Sequence, residues 1–414
     1  MRRLSSLTFE SIVAGIVGQL LLVITGVLSA RLLGPEGRGE LAVLMVVPTA
    51  ISVIGECGVV QAIIFFSGKF PLLTGKIFKV AISALIIQSI VLSIGYYTWL
   101  NLHQSLSLPQ VANDNKWISI AVIPLTLTSS YLMGLYQAVA LHRGITLLRV
   151  VPLGLFAVFL LTTASLSQEA MDPAVFVWSW ILSGILTCII FGGVLIKVIS
   201  ATEFNENTER LSIRHFLSYA LRGHFATLSL IDGLQLDKLI IGFMLSPTAL
   251  GLYVVAQSFS NLPKILVSSL TIVIFPAMTR ESRMTNRVDL LLGFLSRSTW
   301  YFGGFALILL FLQPYLIPAF FGIEYKDSIE VSQILILAAS FGAIRKLISD
   351  GMRSLGKPGI ASMTELLSAM VFSLLCFLLI AKYLLPGVAI ALLIAQLVTY
   401  ATLRAALNRH LVRG

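Results

Sequence analysis

Long apolar runs separated by short polar connectors dominate the sequence. Each run reaches about 20 residues, which is the length that a helix needs to cross the hydrocarbon core of a bilayer. Glycine and proline mark the connectors, as at Gly34-Pro35 and Pro386. The pattern predicts an all-α polytopic membrane protein with about twelve transmembrane helices. The expected spans are 9–30, 41–66, 78–100, 117–140, 150–168, 174–196, 216–245, 250–276, 297–321, 329–350, 360–382 and 387–407.

The composition supports a membrane location. Hydrophobic residues make up 57% of the chain and charged residues 12%, with a mean hydropathy of +0.93. Soluble domains carry about 25% charged residues, so a soluble fold could not cover itself with polar groups. The three cysteines lie singly in apolar runs, at Cys57, Cys188 and Cys376. We therefore expect no metal site and no cofactor.

The basic residues set the expected orientation. If the amino terminus is cytoplasmic, most of the 29 Lys and Arg residues fall in connectors on the cytoplasmic side. Both termini are then cytoplasmic, as an even number of spans requires. The net charge of +10 is explained by basic loops that face anionic lipid, so no nucleic-acid partner is needed.

A short repeat divides the chain into two halves. The segment 33–39 reads Leu-Gly-Pro-Glu-Gly-Arg-Gly, and 245–251 reads Leu-Ser-Pro-Thr-Ala-Leu-Gly, at an offset of 212 positions. We predict an N-terminal six-helix bundle at 1–200, a cytoplasmic linker at 201–215 and a C-terminal six-helix bundle at 216–414. Because six spans return the chain to the same side, the bundles are expected to be parallel repeats related by a pseudo-twofold axis.

Two segments resemble a known family. The residues from Ala30 to Ala42, Ala-Arg-Leu-Leu-Gly-Pro-Glu-Gly-Arg-Gly-Glu-Leu-Ala, look like the loop after the first helix of polysaccharide (O-antigen type) flippases. Leu236-Asp237-Lys238 followed by Leu250-Gly251-Leu252-Tyr253 and Ala256 resembles the pattern of the same family across helices seven and eight. These flippases belong to the multidrug/oligosaccharidyl-lipid/polysaccharide exporter superfamily.

The resemblance implies a fold and a function. It implies two six-helix bundles around a central cavity, alternating access, and a lipid-linked oligosaccharide built on undecaprenyl pyrophosphate as substrate. It also implies coupling to a proton or sodium gradient in the bacterial inner membrane. A polysaccharide polymerase and other assembly proteins are candidate partners. The motifs do not identify the sugar.

Polar residues near the midpoints of spans are the first candidates for a site. A charge at the centre of a bilayer costs about 2.5–3.5 kcal/mol on insertion scales, so it should face protein or water. Glu56, Asp232, Lys264 and Gln19 lie near the midpoints of spans two, seven, eight and one. We expect these four spans to line the cavity, with Asp232 and Glu56 coupling transport to an ion. The alternative is a structural pair of Lys264 with either carboxylate.

Span seven also carries polar side chains on two roughly opposite faces, from Arg222 to Asp237 and from His224 to Lys238. A helix that is polar on two faces cannot lie against lipid. We expect Arg222 to bind the pyrophosphate, together with Lys264 on span eight, because a guanidinium forms paired hydrogen bonds with phosphate oxygens. Snorkelling to headgroups is the alternative for Arg222.

Three further charges are candidates for an outer gate. Asp237 and Lys238 lie near the outer end of span seven, and Arg31 follows span one. Interfacial placement without a gating role is the alternative for the Asp237 and Lys238 pair. Gln19 is assigned to the substrate, although a hydrogen bond between helices would also explain it.

Other function classes fit the sequence less well. Efflux of cationic drugs favours an acidic cavity, which Arg222 and Lys264 oppose. A membrane-embedded polysaccharide polymerase or glycosyltransferase usually carries a large outer loop, and here the longest outer stretch is about 101–116. No Asp-x-Asp pair, Ser/His constellation or glycine-rich phosphate loop is visible, so we expect no catalytic residue and no enzyme. A channel is also disfavoured, since no filter sequence is present.

Overall fold

The computed structural model describes residues 2–70, 73–102, 116–166, 171–200, 213–227, 229–263, 284–354 and 358–412. Within these ranges every regular element is helical, as predicted. The α-helices are α1 (Arg2–Gly55), α2 (Val59–Lys69), α3 (Thr74–Leu102), α4 (Val122–Ala138), α5 (His142–Leu166), α6 (Pro173–Ser200), α7 (Ile213–Thr227), α8 (Leu236–Met244), α9 (Pro247–Ser260), α10 (Met284–Phe321), α11 (Ser328–Ser354) and α12 (Pro358–Val412). Short 3-10 turns cover Lys116–Ala121 and Ile323–Tyr325.

Among the described residues, eight helices are long and apolar enough to cross a membrane. Two of them, Val13–Gly55 with 43 residues and Gly359–Asn408 with 50, are too long for one crossing. At 1.5 Å per residue each exceeds 60 Å, about twice the hydrocarbon thickness. Each contains one non-helical residue, Gly34 (φ 67°) or Leu384 (φ 49°), where the chain can turn. The chain is therefore a multi-pass membrane protein.

Large apolar side chains cover the outside of several helices. Ile87 on α3 is 61% exposed, Phe311 on α10 is 72% exposed and Phe377 on α12 is 61% exposed. Such surfaces would be unfavourable in water. In a bilayer they face lipid tails, which explains why these helices remain apolar on their outward side.

The first compact unit comprises Met1–Leu33, Glu40–Leu228 and Gly233–Gln235. In it α4 packs against α2, α3 and α6, and α7 packs against α2. Tyr136 is buried and its hydroxyl donates a hydrogen bond to the backbone carbonyl of Phe191 at 2.9 Å. Residues 201–212 of the predicted linker lie outside the described residues. The boundary between the two predicted bundles therefore stays a prediction. The core is formed by apolar side chains that include Ile63, Phe66, Leu132, Leu195 and Phe216.

The second compact unit comprises Gly34–Gly39, Ser229–Asp232 and Leu236–Gly414. Its central element is α11, which packs against α9, α10 and α12. Because so much of α11 is enclosed by protein, polar side chains on it must find partners inside the unit. One of its cores contains Leu291, Leu347, Ile348, Met352 and Leu403.

The two repeat segments pack directly on each other inside the second unit. A Cβ atom on Gly39 would lie 1.7 Å from the carbonyl oxygen of Pro247, and one on Gly251 would lie 1.9 Å from that of Pro35. Only glycine permits such close approach. The offset of 212 that relates Pro35 to Pro247 also relates Gly39 to Gly251, so the contact is reciprocal. An approximate twofold relation between the two segments produces this arrangement.

Two predicted spans are not continuous helices. The spans that the sequence predicts at 41–66 and 216–245 are each interrupted in the structure. The first is broken between α1 and α2, and the second between α7 and α8. A prediction from hydropathy does not detect these breaks, because the runs are apolar on both sides and hydropathy does not depend on backbone conformation. The breaks contain two of the predicted site residues, Glu56 and Asp232.

Candidate functional site

The break in span two holds Glu56. Helix α1 ends at Gly55, and α2 begins at Val59. Cys57 and Gly58 both adopt left-handed backbone conformations, with φ of 50° and 72°. A non-glycine residue such as Cys57 rarely takes this conformation, and helices interrupted inside a membrane commonly place polar groups at binding sites. The break therefore positions a carboxylate where an unbroken helix would not.

A chain of hydrogen bonds connects Glu56 to two neighbouring helices. The Ser130 hydroxyl on α4 donates to the Glu56 carboxylate. The Gln88 Nε2 on α3 donates to the Glu56 backbone carbonyl at 3.4 Å, and the Tyr131 hydroxyl donates to Gln88 Oε1 at 2.7 Å. The same carbonyl also accepts from the Val59 backbone amide at 3.1 Å, so Gln88 adds a second hydrogen bond to it. The cluster joins residues of α3 and α4 to the break.

Helix α7 packs against the same break. A Cβ atom on Gly58 would lie 2.0 Å from the Ala220 carbonyl oxygen and 2.8 Å from His224 Cβ. His224 is buried at this contact. Arg222 lies two residues from each of them, which places it about 200° away around the helix, and it is exposed. The structure thus separates Arg222 from the Glu56 cluster.

The break in span seven holds Asp232. Turns replace the helix between α7 and α8, and Gln235 has a left-handed φ of 51°. The Leu236 amide bonds to the Ile231 carbonyl at 3.3 Å, which closes the turn before α8 begins. Asp232 is exposed and is followed by Gly233, a pair typical of turns. The Asp-Gly pair is therefore a sequence signal for this break, and a prediction from hydropathy alone does not detect it.

The repeat does not extend to the break. The offset of 212 relates Gln19 to position 231, beside Asp232. Helix α1 nevertheless runs unbroken through Gln19, which is partly buried. The two equivalent positions, Gln19 and Ile231, therefore differ in backbone conformation.

Asp237 forms the polar centre of α8 and α9. Its carboxylate accepts hydrogen bonds from the Tyr253 hydroxyl at 2.8 Å and from Gln257 Nε2 at 2.5 Å. Asp237 is 4% exposed and lies in the first turn of α8, where the helix dipole favours a negative charge. Both Asp237 and Tyr253 belong to the segments that carry the family resemblance. The hydrogen bond between them gives a structural reason for these two residue types at these positions. Lys238 beside it is half-buried.

A second buried network, which the sequence analysis missed, joins α11 to α12. Arg345 is 4% exposed, and its guanidinium donates to Glu365 Oε1 at 2.8 Å and to Gln396 Oε1 at 2.8 Å. With a cytoplasmic amino terminus, Arg345 counts among the basic residues that the sequence places on the cytoplasmic side. The available signal was the polar pair Glu365 and Gln396 in apolar runs, since a buried charge needs such partners. Arg345 is a third candidate centre.

Two predicted site residues remain, Arg31 and Lys264. Arg31 is exposed on α1, while Lys264 lies outside the described residues. The predicted pairs of Lys264 with Asp232 and Glu56 therefore stay predictions. Among the described side chains, no group of three or more His, Cys, Asp or Glu residues could hold a metal ion.

Comparison with known proteins identifies the family. The model of the family described as polysaccharide biosynthesis protein matches residues 8–282. The chain belongs to this family. The resemblance to polysaccharide flippases is confirmed at this level. A search of curated proteins gives no match.

Solved structures share the fold of this family member at low sequence identity. The inward closed lipid II flippase MurJ is 16% identical over 97% of this chain and 87% of its own, with a TM-score of 0.76. An inward-facing multidrug resistance MATE family transporter of the MOP superfamily is 15% identical over 97% and 98%, with a TM-score of 0.73. The MATE multidrug transporter DinF-BH has a TM-score of 0.67 at 15% identity over 98% and 95%. The predicted fold class is confirmed.

Proposed function

We propose that the protein is a flippase. It moves undecaprenyl-pyrophosphate-linked oligosaccharide from the inner to the outer leaflet of the bacterial inner membrane by alternating access, coupled to protons or sodium. Both termini are cytoplasmic in this proposal. The single observation that carries it is the match to the polysaccharide biosynthesis family over residues 8–282, on a chain that has the fold of a lipid II flippase.

The breaks in spans two and seven support a transport mechanism. Interrupted helices supply unpaired backbone groups and polar side chains near the middle of a bilayer, where transporters bind substrates and ions. In the proposal Glu56 and Asp232 exchange a proton or sodium ion during the cycle. Protonation of Glu56 would remove a charge from the break and turn an acceptor for Ser130 into a group that can also donate. Such a change can bias a helix between two conformations.

The basic residues serve the substrate in this proposal. Arg222 is exposed on α7, so its guanidinium is accessible to a pyrophosphate. Lys264 would add a second positive charge on span eight, and Gln19 would bind a sugar hydroxyl. The polyprenyl tail remains in lipid, because its transfer into a polar site would be unfavourable.

The outer gate of the proposal uses Arg31, Asp237 and Lys238. The bonds from Tyr253 and Gln257 hold Asp237 in place, so the adjacent Lys238 has a fixed position on α8. The reciprocal glycine contacts between the two repeat segments supply a close seam in the second unit. Opening of the gate would then require this seam to separate.

Efflux of cationic drugs is the second candidate. Its supporting observation is the fold that the chain shares with multidrug transporters. Two acidic residues at the helix breaks would suit a cation, whereas Arg222 and Lys264 would oppose it.

Leaflet exchange in liposomes tests the proposal and separates these candidates. Purified protein is reconstituted with fluorescent undecaprenyl-pyrophosphate oligosaccharide or, separately, with a fluorescent organic cation. The proposal expects protein-dependent exchange of the lipid-linked sugar, reduced in Arg222→Ala and Lys264→Ala and retained in the exposed α10 variant Arg297→Ala. Uptake of the cation without exchange of the sugar would overturn it in favour of efflux.

A further inference from the structure

A large cavity in the second unit has no role in the proposed transport cycle. Its volume is about 790 Å³, within the range of about 300–1,000 Å³ found for ligand sites. Three connections meet around it: the link from α8 to α9, the start of α11, and the non-helical point of α12. The cavity lies wholly in the second unit.

The rim of the cavity carries charges of both signs. Lys326 supplies one positive charge, and Asp327 and Glu330 supply two negative charges; all three side chains are exposed. Ser246, Thr248 and Gln333 add uncharged polar groups. A ligand that fits this rim must itself present a negative and a positive group, because a purely anionic ligand would meet two carboxylates.

The walls of the cavity are mostly apolar. Leu245, Leu252 and Leu385 line it together with Leu384. Leu384 has a left-handed φ of 49°, a strained conformation for a branched residue, and strain of this kind concentrates at ligand sites. A fully polar ligand such as a free sugar would make no favourable apolar contact with these walls. The ligand should therefore combine a charged head with an apolar body.

The position of the cavity fits the membrane surface. All three lining connections lie between spans that the sequence predicts, namely 216–245 and 250–276, 297–321 and 329–350, and 360–382 and 387–407. In that arrangement the cavity lies at the depth where hydrocarbon gives way to headgroups. With the amino terminus cytoplasmic, as the basic residues predict, each of the connections is on the outer side. Exposed apolar side chains continue beside it at Tyr383 and Ile323, which are 46% and 72% exposed.

We propose that this cavity binds an outer-leaflet phospholipid with a zwitterionic ethanolamine headgroup. The phosphate lies at Lys326, the ammonium donates hydrogen bonds to Asp327 and Glu330, and an acyl chain follows Leu252 and Leu385. An ammonium has three N–H donors for the two carboxylates, whereas a choline group has none. The site stands independently of the substrate proposed for transport.

Lipid titration of the purified full-length protein, read by native mass spectrometry, tests this site. Phosphatidylethanolamine should bind about tenfold more tightly than phosphatidylcholine or phosphatidylglycerol, the difference that one or two charge-assisted hydrogen bonds provide. The double variant Lys326→Gln/Glu330→Gln should abolish this preference. The matched controls Lys382→Gln and Glu36→Gln remove exposed charges that do not line the cavity, and should keep it.

A second variant tests the cavity without changing its charges. Ala249→Trp places a large side chain in the space and should weaken phosphatidylethanolamine binding by about tenfold while Lys326, Asp327 and Glu330 remain. Equal binding of the three lipids by the wild type, or an unchanged preference in Lys326→Gln/Glu330→Gln, would overturn the proposal. Tighter binding of an undecaprenyl-pyrophosphate sugar than of any phospholipid would also overturn it.

Discussion

The two compact units place their polar groups in different settings. In the first unit Glu56 lies in a helix break, partly exposed, with one hydroxyl on its carboxylate. In the second unit Asp237 and Arg345 lie in intact helices, each 4% exposed and each held by two side chains. A fully bonded buried charge resists any change, because every partner would lose its bond. We therefore assign Asp237 and Arg345 a holding role, in which they keep the packed helices together. We assign Glu56 a variable charge, meaning that its carboxylate changes its protonation or ion binding during transport.

Removal of Arg345 should give the largest loss of stability. Arg345→Met leaves Glu365 and Gln396 without their buried partner and should lower the free energy of unfolding by about 3–5 kcal/mol. The double variant Arg345→Met/Glu365→Leu should recover much of this loss. Arg353→Met, which breaks a more exposed pair with Asp350, is the matched control and should cost about 0–1 kcal/mol.

Denaturant unfolding in detergent measures these values. Equal losses for Arg345→Met and Arg353→Met would contradict the holding role of the buried network.

Gly58→Ala should have the next largest effect, in the first unit. The added Cβ would meet the Ala220 carbonyl oxygen at 2.0 Å, and overpacking of this kind costs about 1–3 kcal/mol. The left-handed conformation adds about 1–2 kcal/mol for a residue with a Cβ atom.

Gly68→Ala, inside α2, is the control for Gly58→Ala, which lies directly before that helix. Nothing lies within 4 Å of a Cβ on Gly68, so this variant should be neutral or more stable by about 0.5–1 kcal/mol. Thermal unfolding of the two variants compares them, and equal melting temperatures would exclude close packing at the break.

A double-mutant cycle on Asp237 and Tyr253 should show a smaller but definite coupling. Asp237→Asn and Tyr253→Phe each remove one side of a buried 2.8 Å hydrogen bond, so their effects on unfolding should not add. We expect a coupling of about 0.5–3 kcal/mol. The exposed Tyr315→Phe, combined with Asp237→Asn, should give a coupling near zero. Additive effects for Asp237→Asn and Tyr253→Phe would contradict the holding role of Asp237 that distinguishes it from Glu56.

Glu56→Gln should have the smallest effect on stability. The amide oxygen of glutamine can still accept from Ser130, and the backbone carbonyl bonded to Gln88 is unchanged. A loss of no more than about 1 kcal/mol, the net worth of one hydrogen bond, is expected in thermal unfolding. A loss as large as that of Arg345→Met would place Glu56 among the holding residues.

Hydropathy and the repeat predict the fold. The length of each span follows from the thickness of the bilayer, and the two repeat segments, 33–39 and 245–251, match because their glycines pack closely. The repeat segments contact one another through Gly39 and Gly251, at the two positions where the sequence match ends. The helix breaks could not be predicted in this way. They depend on backbone conformation at Cys57 and Gln235, residue types that are also common in regular helices.

The candidate site is only partly contained in the sequence. The midpoint argument finds Glu56 and Asp232, because a charge in an apolar run is visible without a structure. The partners of Glu56 come from other helices at separations such as the 32 residues between Gln88 and Glu56, which no local pattern indicates. Arg345 is missed for a related reason, since its partner Glu365 lies on the next helix.

Leaflet exchange of the lipid-linked oligosaccharide, driven by an imposed pH or sodium gradient, tests the role of Glu56 in ion coupling. Glu56→Gln should reduce gradient-driven exchange by about tenfold or more, while its thermal stability remains near that of the wild type. Glu10→Gln, which removes a partly exposed carboxylate paired with Arg143 at 3.3 Å, should behave as the wild type. Gradient-driven exchange that is undiminished in Glu56→Gln would contradict the assignment of a variable charge to the break in span two.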